Sequence, residues 1–319
     1  MEIIYIVCAS VVLLAVIISV SVMAAKTKKY HDEVIAAVAG VNTSVSNIKI
    51  PEYKQQKDTV LSSSEYQDLI YEAYRTNNNT VTFDSVIIKD SISGVNYYTV
   101  AHLVFNNCIF LNMNSAFYNK SKLESILFNK CKFVGSMYYA FRNTTVLKQL
   151  EFTDCDTKEV TDLRYAFAYT NALTSLDLSC FDTSGISGTY MTYVFYNAQA
   201  LQTLKLPEKF IHSKITSMDN MFYNNKVLKE LDVSGFDTSG VTTFKYAFYG
   251  TPLNELDISN FTFSNTLTTT TTNMIDINVK QVKIKKDNAD LSGKTLKIKS
   301  IDGKKSIATA VPIANVVTV

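Results

Sequence analysis

Leu231-Asp232-Val233-Ser234-Gly235-Phe236-Asp237-Thr238-Ser239-Gly240-Val241 appears almost unchanged upstream as Leu176-Asp177-Leu178-Ser179-Cys180-Phe181-Asp182-Thr183-Ser184-Gly185-Ile186, and between the two copies lies Asn220-Met221-Phe222-Tyr223-Asn224. The phenylalanine of the short phrase belongs to a series, Phe117, Phe141, Phe167, Phe195, Phe222 and Phe248, each preceded by Ala, Val or Met. Its period of roughly 26 residues is that of a solenoid. After each Phe comes an apolar triplet at i, i+3, i+5: Leu123/Ile126/Phe128, Leu147/Leu150/Phe152, Leu173/Leu176/Leu178, Leu201/Leu204/Leu206, Leu228/Leu231/Val233 and Leu253/Leu256/Ile258. The last two members of each triplet alternate as a short strand does. A further apolar position follows at Cys131, Cys155, Phe181, Phe236 and Phe261, with a longer loop around Lys209-Phe210 in the remaining repeat.

One such unit cannot bury its apolar side alone, so the units must stack with their strands in parallel. The segments before each Phe, such as Met218 to Phe222, space apolar residues at 3 and 4 and predict one or two helical turns. The fold class read from the sequence is therefore an α/β repeat solenoid, leucine-rich-repeat-like, with parallel strands and short helices. Leu103, Phe105 and Cys108 continue the register upstream, and Val81, Phe83, Val86 and Ile88 fit a still earlier, degenerate rung.

The chain has 319 residues, 47% of them hydrophobic, with four Pro, ten Gly and no Trp. That composition supports a folded core. The net charge of +2, from 31 basic and 29 acidic residues, gives no global field toward nucleic acid. Residues 3–25 carry no charge, and a helix of about that length spans a hydrocarbon core. The sequence thus predicts one N-terminal transmembrane helix, uncleaved because Met1-Glu2 lacks a basic leader. Cys8 follows Tyr5-Ile6-Val7 and lacks the small residues of a lipidation site. Lys26, Lys28 and Lys29 directly follow the span and point the bulk of the chain toward the cytoplasm, and the sidedness stays open because that rule weakens before a large domain.

The regions predicted are a transmembrane anchor and stalk over 1–50, a helical cap with the first rung over 51–99, the solenoid over 100–270 and a β-rich basic cap over 271–319. Ser62 to Glu65, followed by Tyr66, Leu69, Ile70, Ala73 and Tyr74, reads as a capped amphipathic helix covering the first rung. Residues 279–284 and 296–299 read as edge strands with lysines outward, and residues 311–319 as either a last cap strand or a partner-binding segment.

At this point the two long phrases, alternating with residues 220–224, resemble the BspA-type leucine-rich-repeat surface proteins over about residues 100–265. The resemblance implies binding rather than chemistry, in proteins commonly exposed for adhesion or interaction in bacteria, mycoplasmas and some protists, with related repeats in large viruses. The chain departs from that pattern in lacking Trp and in placing Asn or Thr where relatives often carry Gly-Cys after the Met-Phe pair.

Two candidate binding surfaces follow. Glu151, Asp177, Lys205, Asp232 and Asp257 fall between the second and third apolar anchors and predict a charged ladder on the exposed sheet face. Tyrosines flank the Phe column, with Tyr139, Tyr165, Tyr193 and Tyr246 before it and Tyr118, Tyr196, Tyr223 and Tyr249 after it, and tyrosine offers large contact area at low entropy cost. Cys108, Cys131 and Cys155 occupy one equivalent position and read as buried free thiols, although neighbours on adjacent rungs are within conceivable disulfide reach. Cys180 lies one place earlier and reads as exposed to a loop.

No enzyme is expected, since His31, His102 and His212 lie far apart. Ser292-Gly293-Lys294-Thr295 ends like a phosphate loop but has Asn288 where glycine is required. No cofactor or metal is expected either, because no CxxC or Cys/His cluster exists. The function expected is a membrane-anchored interaction protein at a cell surface or envelope, binding a protein or glycan and no nucleic acid. The alternative is a structural virion or organelle protein bridging a bilayer to a protein shell.

Overall fold

A computed structural model describes residues 59–264, 273–276, 278–292, 295–300 and 306–319. The expected anchor and stalk over residues 1–50 lie outside these; among the described residues no helix is long and apolar enough to cross a membrane.

The chain winds as a parallel β-solenoid of about nine turns. Strand β1 (Thr59–Leu61) is followed by helix α1 (Ser63–Arg75), and then each early turn of the coil contributes one strand to each of two sheets. The first sheet is β2 (Thr80–Asp84), β4 (His102–Asn106), β6 (Ser125–Asn129) and β8 (Gln149–Thr153); the second is β1, β3 (Val86–Ile88), β5 (Ile109–Phe110), β7 (Lys132–Ser136) and β9 (Asp156–Asp162). Every pairing within these two sheets is parallel. Later turns supply β10 (Ser175–Asp177) paired with β11 (Thr203–Lys205), and β12 (Leu256–Asp257) paired with β13 (Val282–Ile284).

The register explains the apolar triplets. Val81, Leu103, Ile126 and Leu150 lie opposite one another, as do Phe83, Phe105, Phe128 and Phe152. The four phenylalanine rings stack 5.0, 5.1 and 5.2 Å apart, nearly parallel. Tyr66 from α1 closes this column, its ring 4.8 Å from Phe83 and parallel to it. Ser62 starts α1 with a reciprocal capping box to Glu65, which fixes where the helix begins and so which ring it lays on the column.

The third side of the coil differs from the sequence reading. The segments around Phe117, Phe141, Phe167, Phe195, Phe222 and Phe248 are runs of turns, and none of the short helices expected there forms. The residues two before and two after each Phe are left-handed: φ lies between +54° and +61° at Ser115/Asn119, Tyr139/Asn143, Tyr165/Tyr169, Tyr193/Asn197, Asn220/Asn224 and Tyr246, and is +76° at Gly250. A left-handed residue ends any α-helix.

The backbone donors are shared out instead. Phe141 N–H donates to Ala166 O on the next rung at 2.8 Å and Asn143 N–H to Ala168 O at 2.9 Å, while Ala140 and Arg142 donate back to Met137 and Tyr139 in turns. The same alternation recurs from Ser115 to Asn224. Left-handed residues every four positions give apolar spacings of 3 and 4, and that period imitates a helix closely enough to mislead a reading by pattern. The six phenylalanines themselves stack at 5.4 to 5.6 Å along the whole coil.

The glycine of the repeated phrase is needed where rungs approach most closely. A Cβ on Gly240 would stand 2.0 Å from Ser213 O, and one on Gly185 2.7 Å from Lys158 O.

At the C-terminal end an antiparallel sheet of β14 (Ala289–Asp290), β15 (Thr295–Lys299) and β16 (Ser306–Pro312) leads into β17 (Val316–Thr318), which returns to pair in parallel with β13. The apolar tail is thus the last strand of the coil. Of the Ser292–Thr295 phrase, Ser292 lies just after β14 and Thr295 opens β15.

Candidate interaction surface

The charged ladder on the sheet face is largely occupied by the fold itself. Asp177, Asp232 and Asp257 each accept the backbone N–H of the serine two residues on, at 2.9, 2.9 and 3.0 Å. Asp177 and Asp257 also accept that serine's hydroxyl at 2.6 Å. Asp182 and Asp237 accept the backbone N–H of Ser184 and Ser239 in the same way, at 2.9 and 3.0 Å. The Asp-x-Ser pattern, twice in each long phrase, is a pair of side-chain-closed turns. These bonds hold the carboxyls of Asp177, Asp182, Asp232 and Asp237 below the usual range.

Lys205 lies opposite Asp177 in the register and pairs with it at 3.1 Å, an exposed contact worth about 0–1 kcal/mol. Glu151 accepts from Gln149 at 2.7 Å. Two shallow grooves interrupt this face. The larger, about 520 Å³, opens where β8 and β10 are not hydrogen-bonded to each other and is lined by Glu151, Phe152, Asp177, Ser179 and Cys180. The other, about 350 Å³, lies between Lys205 to Glu208 and Asp232 to Phe236. Among the described residues no group of His, Cys, Asp or Glu could hold a metal ion.

Cys108, Cys131, Cys155 and Cys180 are all free. The first three are buried, and each thiol lies against the carbonyl of a phenylalanine on the preceding rung: Phe83 at 3.6 Å, Phe105 at 3.3 Å and Phe128 at 3.5 Å. Cys180, expected to face a loop, continues the series with Phe152 O at 3.4 Å and is half-buried. Strand β10 is two residues shorter than β8, Cys180 lies in the turn after it, and the adjacent Phe181 turns its ring edge-on to Phe152 at 5.0 Å. The hydrogen bond with Cys108 is foremost in pushing the Cys131 thiol up to about 12, and burial pushes Cys180 up.

The tyrosines are brought together along the turn side as one ribbon. Tyr118 meets Tyr139 at 5.7 Å, Tyr139 meets Tyr165 at 5.1 Å and Tyr165 meets Tyr193 at 4.3 Å. Tyr193 then meets Tyr196 at 5.4 Å, Tyr196 meets Tyr223 at 4.9 Å and Tyr223 meets Tyr249 at 5.8 Å, with Tyr246 beside the last. All eight are half-buried. Several pairs are face to face, so much of the ring faces is used within the ribbon.

Two arginines set into the ribbon were missed from sequence. Arg142 lies 4.6 to 5.7 Å from the rings of Tyr139, Tyr118, Tyr169 and Tyr165, and Arg164 lies 5.0 and 4.6 Å from Tyr138 and Tyr190. Arg142 stands directly after the column phenylalanine, where Tyr118, Tyr196, Tyr223 and Tyr249 stand in other rungs, and Arg164 directly precedes Tyr165; those places were the available signal.

The family described as Mycoplasma protein of unknown function, DUF285, matches residues 111–207 and 189–288, together more than half of the chain. The chain belongs to that family. The DUF285 segments cover the Phe column from Phe117 to Phe248 and the tyrosine ribbon beside it, and the family description assigns no activity. No curated protein and no solved structure matches the chain.

Proposed function

We propose that this DUF285 protein is a non-catalytic interaction protein that uses its tyrosine ribbon to bind a partner protein. The observation that carries the reading is where the tyrosines sit. Tyr139, Tyr165, Tyr193 and Tyr246 occupy left-handed positions, which cost an ordinary residue about 1–2 kcal/mol and suit Asn or Gly. Asn220 fills the equivalent place in the rung of Phe222 and shows that the backbone accepts it. A bulky aromatic kept in that conformation, rung after rung, favours a use for the ring beyond the turn. Because stacking uses up ring faces, the ribbon suits the side chains of a protein better than the flat face of a sugar.

The resemblance to BspA-type proteins supports surface display, and the uncharged run at 3–25 supports a membrane anchor. The alternative, a structural protein linking a bilayer to a shell, draws on the free thiols, which suit a reducing compartment. A cysteine appended after the exposed Val319, treated with a membrane-impermeant thiol reagent, separates the two. Labelling on intact cells or particles supports display, and labelling only after permeabilisation supports the internal role.

The ribbon itself is tested by placing a photo-crosslinking amino acid at Tyr223 or at Glu151 in the full chain. The expected result is a discrete protein adduct from Tyr223 that Tyr193→Asn abolishes, without loss of fold. Adducts from Glu151 alone would move the surface to the sheet face and refute the proposal.

A further inference from the structure

The two arginines both lie against tyrosine rings, four for Arg142 and two for Arg164, and differ in their charge partners. Arg164 is complete. Its Nε donates to both oxygens of Asp162 at 3.1 and 3.2 Å and its Nη2 to Oδ2 at 2.7 Å, between the rings of Tyr138 and Tyr190. Arg142, one rung earlier, has the rings and lacks the carboxylate. Its single side-chain hydrogen bond among the described residues is from Nη1 to the Tyr118 hydroxyl at 3.3 Å. Its Nε is buried with no acceptor, and among the described residues it forms no ion pair. A guanidinium has five donors in a fixed fork, so most of this one's capacity is unused.

We propose that Arg142 is the anion-binding anchor of the ribbon and takes a carboxylate from an acidic segment of the partner protein. This rests on the ribbon being the contact surface and adds the charge of what it contacts. Arg164 and Asp162 show that a carboxylate fits beside a guanidinium flanked by tyrosines in this coil. The turn-side carboxylates are engaged elsewhere: Asp162 is held by Arg164, and Asp219, three rungs beyond Arg142, accepts from Thr243 Oγ1 and Lys245 N, both at 2.7 Å. The remaining ribbon cation, Lys245, lies 5.6 Å from the Tyr246 ring, so the ribbon presents positive charge to its partner. Charge complementarity then favours an acidic peptide, and ring edges with hydroxyls give its backbone hydrogen-bonding partners.

Calorimetry on the full chain at low salt, with a hexaglutamate peptide as probe, tests the assignment. The expected result is measurable binding, weakened at least tenfold by Arg142→Gln and at least threefold by Arg142→Lys, which keeps the charge and loses the fork. Lys205→Gln, on the sheet face, should change it less than twofold. Absence of hexaglutamate binding to the unaltered chain overturns the proposal. So does equal loss in Arg142→Gln and Lys205→Gln, or preferential binding of inorganic phosphate or a glucuronate oligosaccharide. An undiminished Tyr223 adduct in Arg142→Gln would sink the anchor and leave the ribbon standing, whereas no Tyr223 adduct in any form would sink the ribbon reading itself.

Discussion

Replacing Phe141 by alanine removes the middle of the turn-side column. The ring is fully buried, stacked on Phe117 at 5.4 Å and on Phe167 at 5.6 Å, and edge-on to Phe128 and Phe152 at 6.1 and 5.9 Å. A buried Phe→Ala change costs about 3–5 kcal/mol. Phe248→Ala, at the end of the stack with Phe222 as its one aromatic neighbour among the described residues, lacks the second stacked ring and both edge-on ones and should cost less by about 0.5–1.5 kcal/mol or more. A solenoid opens locally, so native-state hydrogen exchange is the suitable assay. The amides to follow are those of Phe117 and Asn143, which donate to Ala140 O and Ala168 O across neighbouring rungs. A loss of about 4 kcal/mol corresponds to roughly 10³-fold faster exchange where these amides open by local unfolding. The reasoning fails if Phe141→Ala changes their exchange less than about tenfold, or if Phe248→Ala proves the costlier of the two, because stacking would then not be what couples the rungs.

Asn143 holds φ +60° and donates to Asn119 at 2.6 Å, so Asn143→Gly should lower thermal stability only slightly and Asn143→Val by about 2 kcal/mol, read by circular dichroism; equal effects would contradict the left-handed assignment. The turn-closing aspartates have folded pKa values below the ordinary aspartate value, so their contribution is present above that value and is lost as pH falls through the lowered folded values. Urea midpoints should therefore drop below about pH 4, and Asp237→Asn should flatten that dependence; an unchanged slope would mean the turns close without the charge. Among the four described thiols, Cys180 should react first with a soluble disulfide reagent, since it is half-buried while Cys108, Cys131 and Cys155 are enclosed; mass mapping that found Cys131 modified earlier would place the column at the surface.

The stacked core was legible because burial leaves its trace in residue type: Leu150 and Phe152 alternate in a strand whose inward face is fixed by the pleat. The turn side was not, because Met218, Met221 and Phe222 keep helical spacing whether the chain is helical or bent by a left-handed residue every fourth position. Asparagine two places after Phe117, Phe141, Phe195 and Phe222, with glycine after Phe248, was the discriminating signal, since Asn and Gly tolerate that conformation best. The aspartates were placed on the sheet face from their strand position, but their serine partners take up much of their acceptor capacity. Tyrosines could be counted in the sequence, whereas the hydrogen bonding of Arg142 and Arg164 depends on which carboxylate reaches which guanidinium.

The donors that alternate between the next rung and the local turn have a consequence for how such a chain changes over time. On the turn side each rung from Ser115 to Asn224 meets its neighbour through the same alternating bonds, so duplicating or deleting one whole period there leaves that bonding intact, while adding part of a period breaks the alternation at one seam. Coil length is then free to vary in whole steps of about 4.8 Å, and the ribbon lengthens with it. A lineage can adjust how many partner contacts engage at once by copy number, without altering any single contact.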